Sequence, residues 1–282
     1  MTRNDLARLL LLAAIWGASY LFNRIVAPVL GPVFTAELRT LIGGIALAAY
    51  FAAAGYDPEW RRWWRQYLLV AVFSSALPFV LWAYAALSVS AGLLSVLNAT
   101  SPMWGALCSA VLLRERLNAR RAVGLVTGLV GVAVVTQPEG GADLHYPSIA
   151  AALAAAFSYG LIATYIKGWA SDVPSRGLAV GTQLAAGILL IPFVPLWPPH
   201  AAPTPLVAAC ILALGLVCGA VAYLLYFRLV SDLGATGALT VTYLIPVFGV
   251  LWGALFLGEA VSLTMLAGGA LVVLGTVFVL RT

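Results

Sequence analysis

The sequence predicts an all-α membrane protein whose ten transmembrane helices form two inverted five-helix repeats. Three observations predict it. Of 282 residues, 63% are hydrophobic and 9% are charged, against about 25% charged in a soluble domain. The mean hydropathy is +1.01. A proline-centred apolar segment occurs twice at a fixed offset, and the basic residues gather in alternate linkers.

The duplicated segment organises the rest. Residues 91–116 read AGLLSVLNATSPMWGALCSAVLLRER, and residues 235–260 read ATGALTVTYLIPVFGVLWGALFLGEA. Pro102 and Pro246 lie 144 residues apart, as do Glu115 and Glu259, Gly105 and Gly249, and Asn98 and Thr242. Similarity at a fixed spacing signals duplication. Each proline removes the N–H that would bond the carbonyl four residues back, so carbonyls at Asn98 and Thr242 are expected to be freed at mid-membrane. Such groups need a polar cavity. Matched, interrupted apolar segments in two halves of a chain point to a transporter's binding site.

Length and turn signals divide the chain into spans near 6–24, 33–54, 67–87, 91–113, 121–136, 148–167, 178–196, 206–229, 235–257 and 263–280. Gly31-Pro32, Asp57-Pro58, Gln137-Pro138, Trp197-Pro198-Pro199 and Ala202-Pro203 mark the turns. The repeats are expected at 1–137 and 138–282, together one integral membrane domain. The first apolar run, Leu6 to Tyr20, shows no convincing small-residue cleavage site and reads as part of the first helix. Cys108, Cys210 and Cys218 all fall in apolar runs, so neither an external disulfide nor a metal site is expected.

Positively charged linkers face the cytoplasm. Of 15 basic residues, 13 fall on one side: Arg3 and Arg8; Arg61, Arg62 and Arg65; Arg114, Arg116, Arg120 and Arg121; Lys167 and Arg176; Arg228; and Arg281. The other linkers carry Glu139, Asp143, His145, His200 and Glu259 without Lys or Arg. Both termini are therefore expected in the cytoplasm. Five helices per repeat is odd, so the repeats run in opposite senses. The net charge of +5 reflects this asymmetry and gives no sign of nucleic-acid binding.

The chain resembles the drug/metabolite transporter superfamily in its ten-helix, EamA-like branch. The resemblance rests on Ala14–Tyr20 (AIWGASY), Leu38-Arg39, the Pro102–Glu115 span and the Pro246 to Gly258-Glu259 span, and it covers essentially the whole chain. It implies export of amino acids, metabolites or drugs across a bacterial inner membrane. One branch of the family exports aromatic amino acids, and this chain is compatible with it. Where the second repeat has Gly258-Glu259, the first departs with Arg114-Glu115.

Candidate substrate contacts follow from helical spacing. Ser95, Asn98 and Ser101 step along one face, and Thr242 and Tyr243 flank the second break. Ser75, Phe79 and Trp82 match Gly219, Tyr223 and Tyr226 at the same offset of 144. Trp16, Tyr20 and Asn23 share a face of the first helix, with Tyr159 and Tyr165 in the sixth as weaker candidates. These aromatics serve either as cavity walls or as an interfacial belt and helix packing. Arg39 lies well inside a span, where a charge costs about 2.5–3.5 kcal/mol or more. It either meets a substrate carboxylate or holds its helix through a backbone carbonyl or Glu37. Gly124, Gly128 and Gly131 suit close helix packing within the monomer.

No assembled acid–base set points to an enzyme, and no ring of charge or carbonyl filter points to a pore. The reading is a secondary transporter exporting small organic solutes, amino acids first and aromatic ones among them, by alternating access. A passive facilitator, or transport of another metabolite or drug class, stands as the alternative. The expected partners are a small-molecule substrate and the bilayer, with no nucleic acid, no cofactor and no metal, in a monomer or homodimer. No carboxylate is expected at mid-membrane, so movement down the substrate's own gradient is expected.

Overall fold

The structure is a computed structural model that describes residues 2–137 and 145–280, without the side chains of residues 235 and 236. Glu139, Asp143 and Arg281 lie outside the described residues, and the expected repeat boundary falls at the edge of 138–144. Among the described residues the secondary structure is helical throughout.

Helix α1 spans Arg3–Leu30 and α2 Pro32–Ala53. The third span, Trp60–Ala85, is α3. Two shorter helices, Ala91–Asn98 and Ser101–Leu112, together make α4. Next come α5, Ala119–Val135, and α6, Tyr146–Trp169. Helix α7 covers Ser175–Leu196 and α8 Pro205–Gly234. After Gly234 the chain makes one further helical turn before α9, Val241–Leu257, and α10, Leu263–Leu280. Seven of these are long and apolar enough to cross a bilayer alone. With α4, α5 and α9 they make the ten expected spans.

Local chemistry sets the ends. Thr2 and Asp5 form a reciprocal capping box, with the Asp5 N–H donating to Thr2 Oγ1 at 3.2 Å and the Thr2 N–H to Asp5 Oδ2 at 2.8 Å. Gly31, at φ +75°, separates α1 from α2, and Pro32 opens α2 where its missing N–H costs nothing. The expected bounds of the first, third and eighth helices were too tight, α8 running on to Gly234 past 229, and the ninth was too wide, since α9 begins at Val241 and not at 235. The first helix runs past residue 24 to Leu30, because Arg24 finds partners and does not end it. The third starts at Trp60, seven residues early, as an amphipathic turn with Trp60 and Trp64 exposed.

The two prolines act differently. Pro102 sits in the first turn of Ser101–Leu112, after a break at Ala99–Thr100. Pro246 lies inside a continuous α9, and the break on that side comes earlier, at Leu239–Thr240.

Glycine contacts display the duplication. In α2 and α7, a Cβ on Gly44 would lie 2.8 Å from the Leu184 N, while Gly187 faces Leu41 across the same seam, its added Cβ 3.1 Å from the Leu41 N. Leu41 and Leu184, like Gly44 and Gly187, are 143 apart, so the two helices meet through their own equivalents, antiparallel. In α5 and α10 the same holds. A Cβ on Gly124 would lie 2.7 Å from the Gly275 carbonyl oxygen and one on Gly131 2.8 Å from the Gly268 carbonyl oxygen, and both 124/268 and 131/275 differ by 144. A pseudo-twofold axis therefore passes through both seams. It also relates α1 on α9, where Gly17 abuts Phe248 and Gly249, to α6 on α4, where Gly160 abuts Trp104 and Gly105.

In the α5–α10 seam backbone atoms of the neighbouring helix lie within this reach on both sides, so an added side chain cannot be absorbed by rotamer changes alone. Gly268→Leu and its repeat mate Gly124→Leu are each expected to cost about 1–3 kcal/mol and to lower Tm by roughly 2–10 °C. Thermal unfolding in detergent checks this. Gly105→Ala, whose Cβ would meet Gly160 Cα at an ordinary 3.7 Å, serves as the tolerated control.

Candidate substrate cavity

A cavity of ≈ 550 Å³ lies between the repeats. Its blind end is formed by Tyr20 and Asn23 from α1, Arg39 from α2, and Phe79 and Trp82 from α3, all buried. Its middle carries Trp16, Asn98, Ser101, Tyr159, Tyr223 and Tyr226, and Thr242 lies further along. The open end is marked by Glu115, Arg121 and Lys167, the last with a side chain 61% exposed. This is the arginine-rich end of the molecule, where Arg8 also pairs with Asp232 at 2.7 Å.

The aromatic stripe is positioned by matched irregularities. Helix α3 widens to π geometry at Val72–Ala76 and α8 at Ala213–Val221. Shifting the first by 144 places it inside the second. A π turn holds an extra residue and re-aims the face that follows, which is where Phe79 and Trp82, and Tyr223 and Tyr226, project into the cavity. The rings pack on one another across helices. Tyr20 meets Trp82 edge-on at 5.4 Å, Trp16 meets Tyr223 edge-on at 6.4 Å, and Trp16 meets Tyr226 at 5.7 Å. This packing removes them from an interfacial belt.

Arg39 decides the character of the site. Its residue is 7% exposed, its guanidinium carbon lies 3.8 Å over the Phe79 ring, and its Nε is buried without a hydrogen-bond partner. Among the described residues it makes no ion pair, so neither Glu37 nor a backbone carbonyl neutralises it. A charge at this depth costs about 2.5–3.5 kcal/mol or more. A cation–π contact offsets about 0.5–2 kcal/mol of that. The remainder calls for a polar or anionic partner reaching Arg39 from the cavity. The α2 backbone here is fixed by close approach of α8, where a Cβ on Gly215 would lie 3.2 Å from the Arg39 carbonyl.

The freed carbonyls behave otherwise than expected. The Asn98 carbonyl accepts the Ser101 hydroxyl at 2.7 Å, so local chemistry has already satisfied it. Thr242 donates to the Leu239 carbonyl at 2.8 Å, closing the break before α9. The polar groups of the middle zone thus serve helix shape first, and what they offer the cavity is side-chain polarity from Asn98.

Ten of the eleven expected contact residues line this one cavity. Tyr243 does not line it. Of the weaker candidates, Tyr159 does and Tyr165 does not. Tyr159 is the repeat equivalent of Trp16 at an offset of 143, the offset that holds through the first two helices of each half, and an alignment allowing that slip would have found it. From the sequence alone, Glu115, Arg121 and Lys167 read only as linker charges. Here Lys167 Nζ meets Glu115 Oε1 at 2.5 Å, and Arg121 Nη1 lies 3.5 Å from Glu115 Oε2. The Lys167 hydrogen bond holds the Glu115 carboxyl below the usual carboxylate range, with the charges of Lys167 and Arg121 adding to it.

At the other end, the route beyond Asn23 is closed. The first half of α4 lies on α9, where a Cβ on Gly92 would be 3.3 Å from Val250 Cα and Ser95 Oγ is 3.5 Å from the Pro246 carbonyl. Glu259 seals the seam by accepting from the N–H groups of Ala91 at 2.9 Å and Gly92 at 3.3 Å. Arg24 Nε lies 3.6 Å from Glu259 Oε1, and its Nη1 donates to the Ala86 carbonyl at 2.7 Å.

Comparison with known proteins agrees with this architecture. A solved crystal structure superposes with a TM-score of 0.67 over 99% of this chain and 96% of its own, at 21% identity, a likeness of fold. The uncharacterized transporter YvbV of Bacillus subtilis is 27% identical over 93% of this chain and 87% of its own length. An uncharacterized transporter of Archaeoglobus fulgidus is 26% identical over 97% of both chains. A probable terminal-alkyne amino-acid exporter of Streptantibioticus cattleyicolor is 28% identical over 68% of this chain and 65% of its own. The profile of one family matches twice, over residues 6–137 and again over 147–281, the two halves that the glycine seams relate: the chain belongs to the EamA-like transporter family.

Proposed function

We infer that this transporter exports small carboxylate-bearing solutes, amino acids first and aromatic ones among them, from the cytoplasm across the inner membrane by alternating access. The observation that carries this is Arg39, a buried guanidinium without an anion, at the blind end of an aromatic chamber. The chamber's ≈ 550 Å³ falls within the range of small-molecule sites, about 300–1,000 Å³. The exporter of terminal-alkyne amino acids among its relatives supports the substrate class.

In this reading the cavity is open to the cytoplasm, since its mouth is the arginine-rich end. A solute enters past Glu115, Arg121 and Lys167. Its carboxylate takes the place of water against Arg39, which supplies paired donors in a fixed fork. An amino group then lies among the faces of Tyr20, Trp82 and Tyr159, where aromatic quadrupoles attract a cation. The side chain extends along Trp16, Tyr223 and Tyr226, with Asn98 beside it. No carboxylate lines the inner chamber among the described residues, because Glu37, although buried, is not part of the wall. Nothing there takes up a proton, and the solute's own gradient supplies the driving force.

Counterflow in proteoliposomes tests the site. Arg39→Gln is expected to weaken apparent affinity for amino acids by about 10–100-fold, the effect of losing a charged hydrogen-bond pair, while Arg39→Lys retains part of it. Amino-acid amides should be poor substrates of the native protein and should be little affected by Arg39→Gln. Equal loss for acids and amides would remove Arg39 from the substrate. Asn98→Ala and Thr242→Ala should each alter rate or affinity, and if neither does, the middle zone of the cavity is not part of the path.

Two further outcomes test the direction and the energetics. Cysteines replacing Arg61, Arg120 and Arg176, in a background without native cysteines, should react with impermeant maleimide only from the cytoplasmic side, and one replacing His200 only from outside. Imposed pH or sodium gradients should not drive accumulation of substrate above its equilibrium distribution.

A further inference from the structure

Beyond the cavity, the two halves carry a second matched set of groups, one at each end of the molecule. Glu115 and Glu259 are 144 apart, and Arg24 and Lys167 are 143 apart, the offset that also relates Gly17 to Gly160 on the same pair of helices. Each cation therefore pairs with the glutamate of the other repeat: Arg24 with Glu259 at one end, Lys167 with Glu115 at the other. The turns that present the two carboxylates are equivalent as well. The Glu115 N–H donates to the Ser109 carbonyl at 3.3 Å and the Glu259 N–H to the Gly253 carbonyl at 3.1 Å. Both turns are left-handed at the preceding residue, with φ +55° at Arg114 and +64° at Gly258.

What differs is the seam each carboxylate serves. Glu259 sits on the amides that open α4, and the first half of α4 is packed on α9. The repeat equivalent of that packed seam is Leu239 against Pro102 and Gly105, since Ser95 matches Leu239 and Pro246 and Gly249 match Pro102 and Gly105. All three of these residues line the open cavity. One end of the α4–α9 crossing is thus closed with its carboxylate docked, and the other is splayed with its carboxylate held at the mouth by Lys167 and Arg121.

We propose that Glu259 and Glu115 are alternating latches: each locks one end of the α4–α9 crossing by capping the helix start of the opposite repeat, and release of one accompanies docking of the other. Glu259 caps the start of α4 after Ser90. Glu115, in the exchanged state, caps the chain after Gly234, the residue matching Ser90. Arg24 and Lys167 are positioning residues that keep each carboxylate aimed at its seam. A carboxylate on a helix start gains both charge-assisted hydrogen bonds and the favourable end of the helix dipole, and it must surrender both to open. The inference rests on transport through this cavity by alternating access, but it is independent of what is carried.

The test needs no substrate, so its failure is distinct from a wrong assignment of the solute. Reporter cysteines are placed singly at Ser95→Cys, in the closed seam, and Leu239→Cys, in the open one, with Cys108, Cys210 and Cys218 replaced by alanine. Impermeant maleimide is applied to each face of oriented vesicles. Glu259→Gln should raise labelling at position 95 from the face opposite the arginine-rich end by about tenfold, the scale of one lost charged acceptor, and lower labelling at 239. Glu115→Gln should do the reverse. Equal or absent shifts in the two variants overturn the proposal. If a reporter variant fails to insert, the pair Gly92→Cys with Val250→Cys gives the same answer. Its disulfide should form readily in the same background, with Cys108, Cys210 and Cys218 replaced and Glu259 intact, and less readily with Glu259→Gln, and an unchanged yield overturns the latch.

Discussion

Everything in this molecule depends on backbone meeting backbone at glycine. In a bilayer there is no hydrophobic gain in bringing two apolar helices together, so association rests on van der Waals contact and close approach. Here that approach recurs at several seams, among them α1 on α9, α4 on α6, α2 on α7 and α5 on α10, with glycine on one or both sides of each. The last two lie on the pseudo-twofold axis, and each packs a helix against its own copy. They hold the repeats in a fixed relation. The first two leave α4 and α9 free to cross between the repeats, touching at one end and apart at the other. The cavity is the space left by that crossing.

Charge is placed sparingly against this apolar frame, and depth decides what each group does. Arg39, deep and lacking an anion, gives the chamber its polarity. Arg24, higher in its helix, is neutralised by a carboxylate and a carbonyl. Lys167, near the mouth, stays largely in water while holding Glu115. A basic side chain at these three depths would cost very different free energies, from almost nothing at the headgroups to several kcal/mol at the centre. The chain turns the deepest, Arg39, toward the cavity, pairs Arg24 with Glu259, and lets Lys167 reach water.

Much of this was legible in the sequence, and the missing parts have physical causes. Apolar length and alternate basic linkers suffice for ten spans, because the bilayer admits few alternatives to the helix. The offset of 144 brought out the crossing helices, the stripe of Phe79, Trp82, Tyr223 and Tyr226, and the two glutamates. It concealed the kinship of Trp16 with Tyr159 and of Arg24 with Lys167, because the second repeat carries one extra residue between its second and third helices. The fate of the Asn98 carbonyl was hidden for another reason. A proline tells that a carbonyl is freed, but only the Ser101 rotamer tells what takes it. Likewise the π turns in α3 and α8 leave no pattern of their own in a segment that is apolar all round.

The turns at Arg114 and Gly258 carry a consequence for energetics. Were the halves identical, the two end states would be mirror descriptions of one structure, equal in free energy and equally populated. Any resting preference must come from positions where the copies disagree. Arg114 holds a left-handed backbone that glycine adopts freely and other residues adopt at a cost of about 1–2 kcal/mol. Arg121 adds a second cation to Glu115 where the copy has Met265. Differences of this size shift a two-state population about tenfold per 1.4 kcal/mol. In the proposed alternating-access cycle, divergence at a handful of such sites after duplication suffices to set which face the empty carrier waits on, without any change to the chamber.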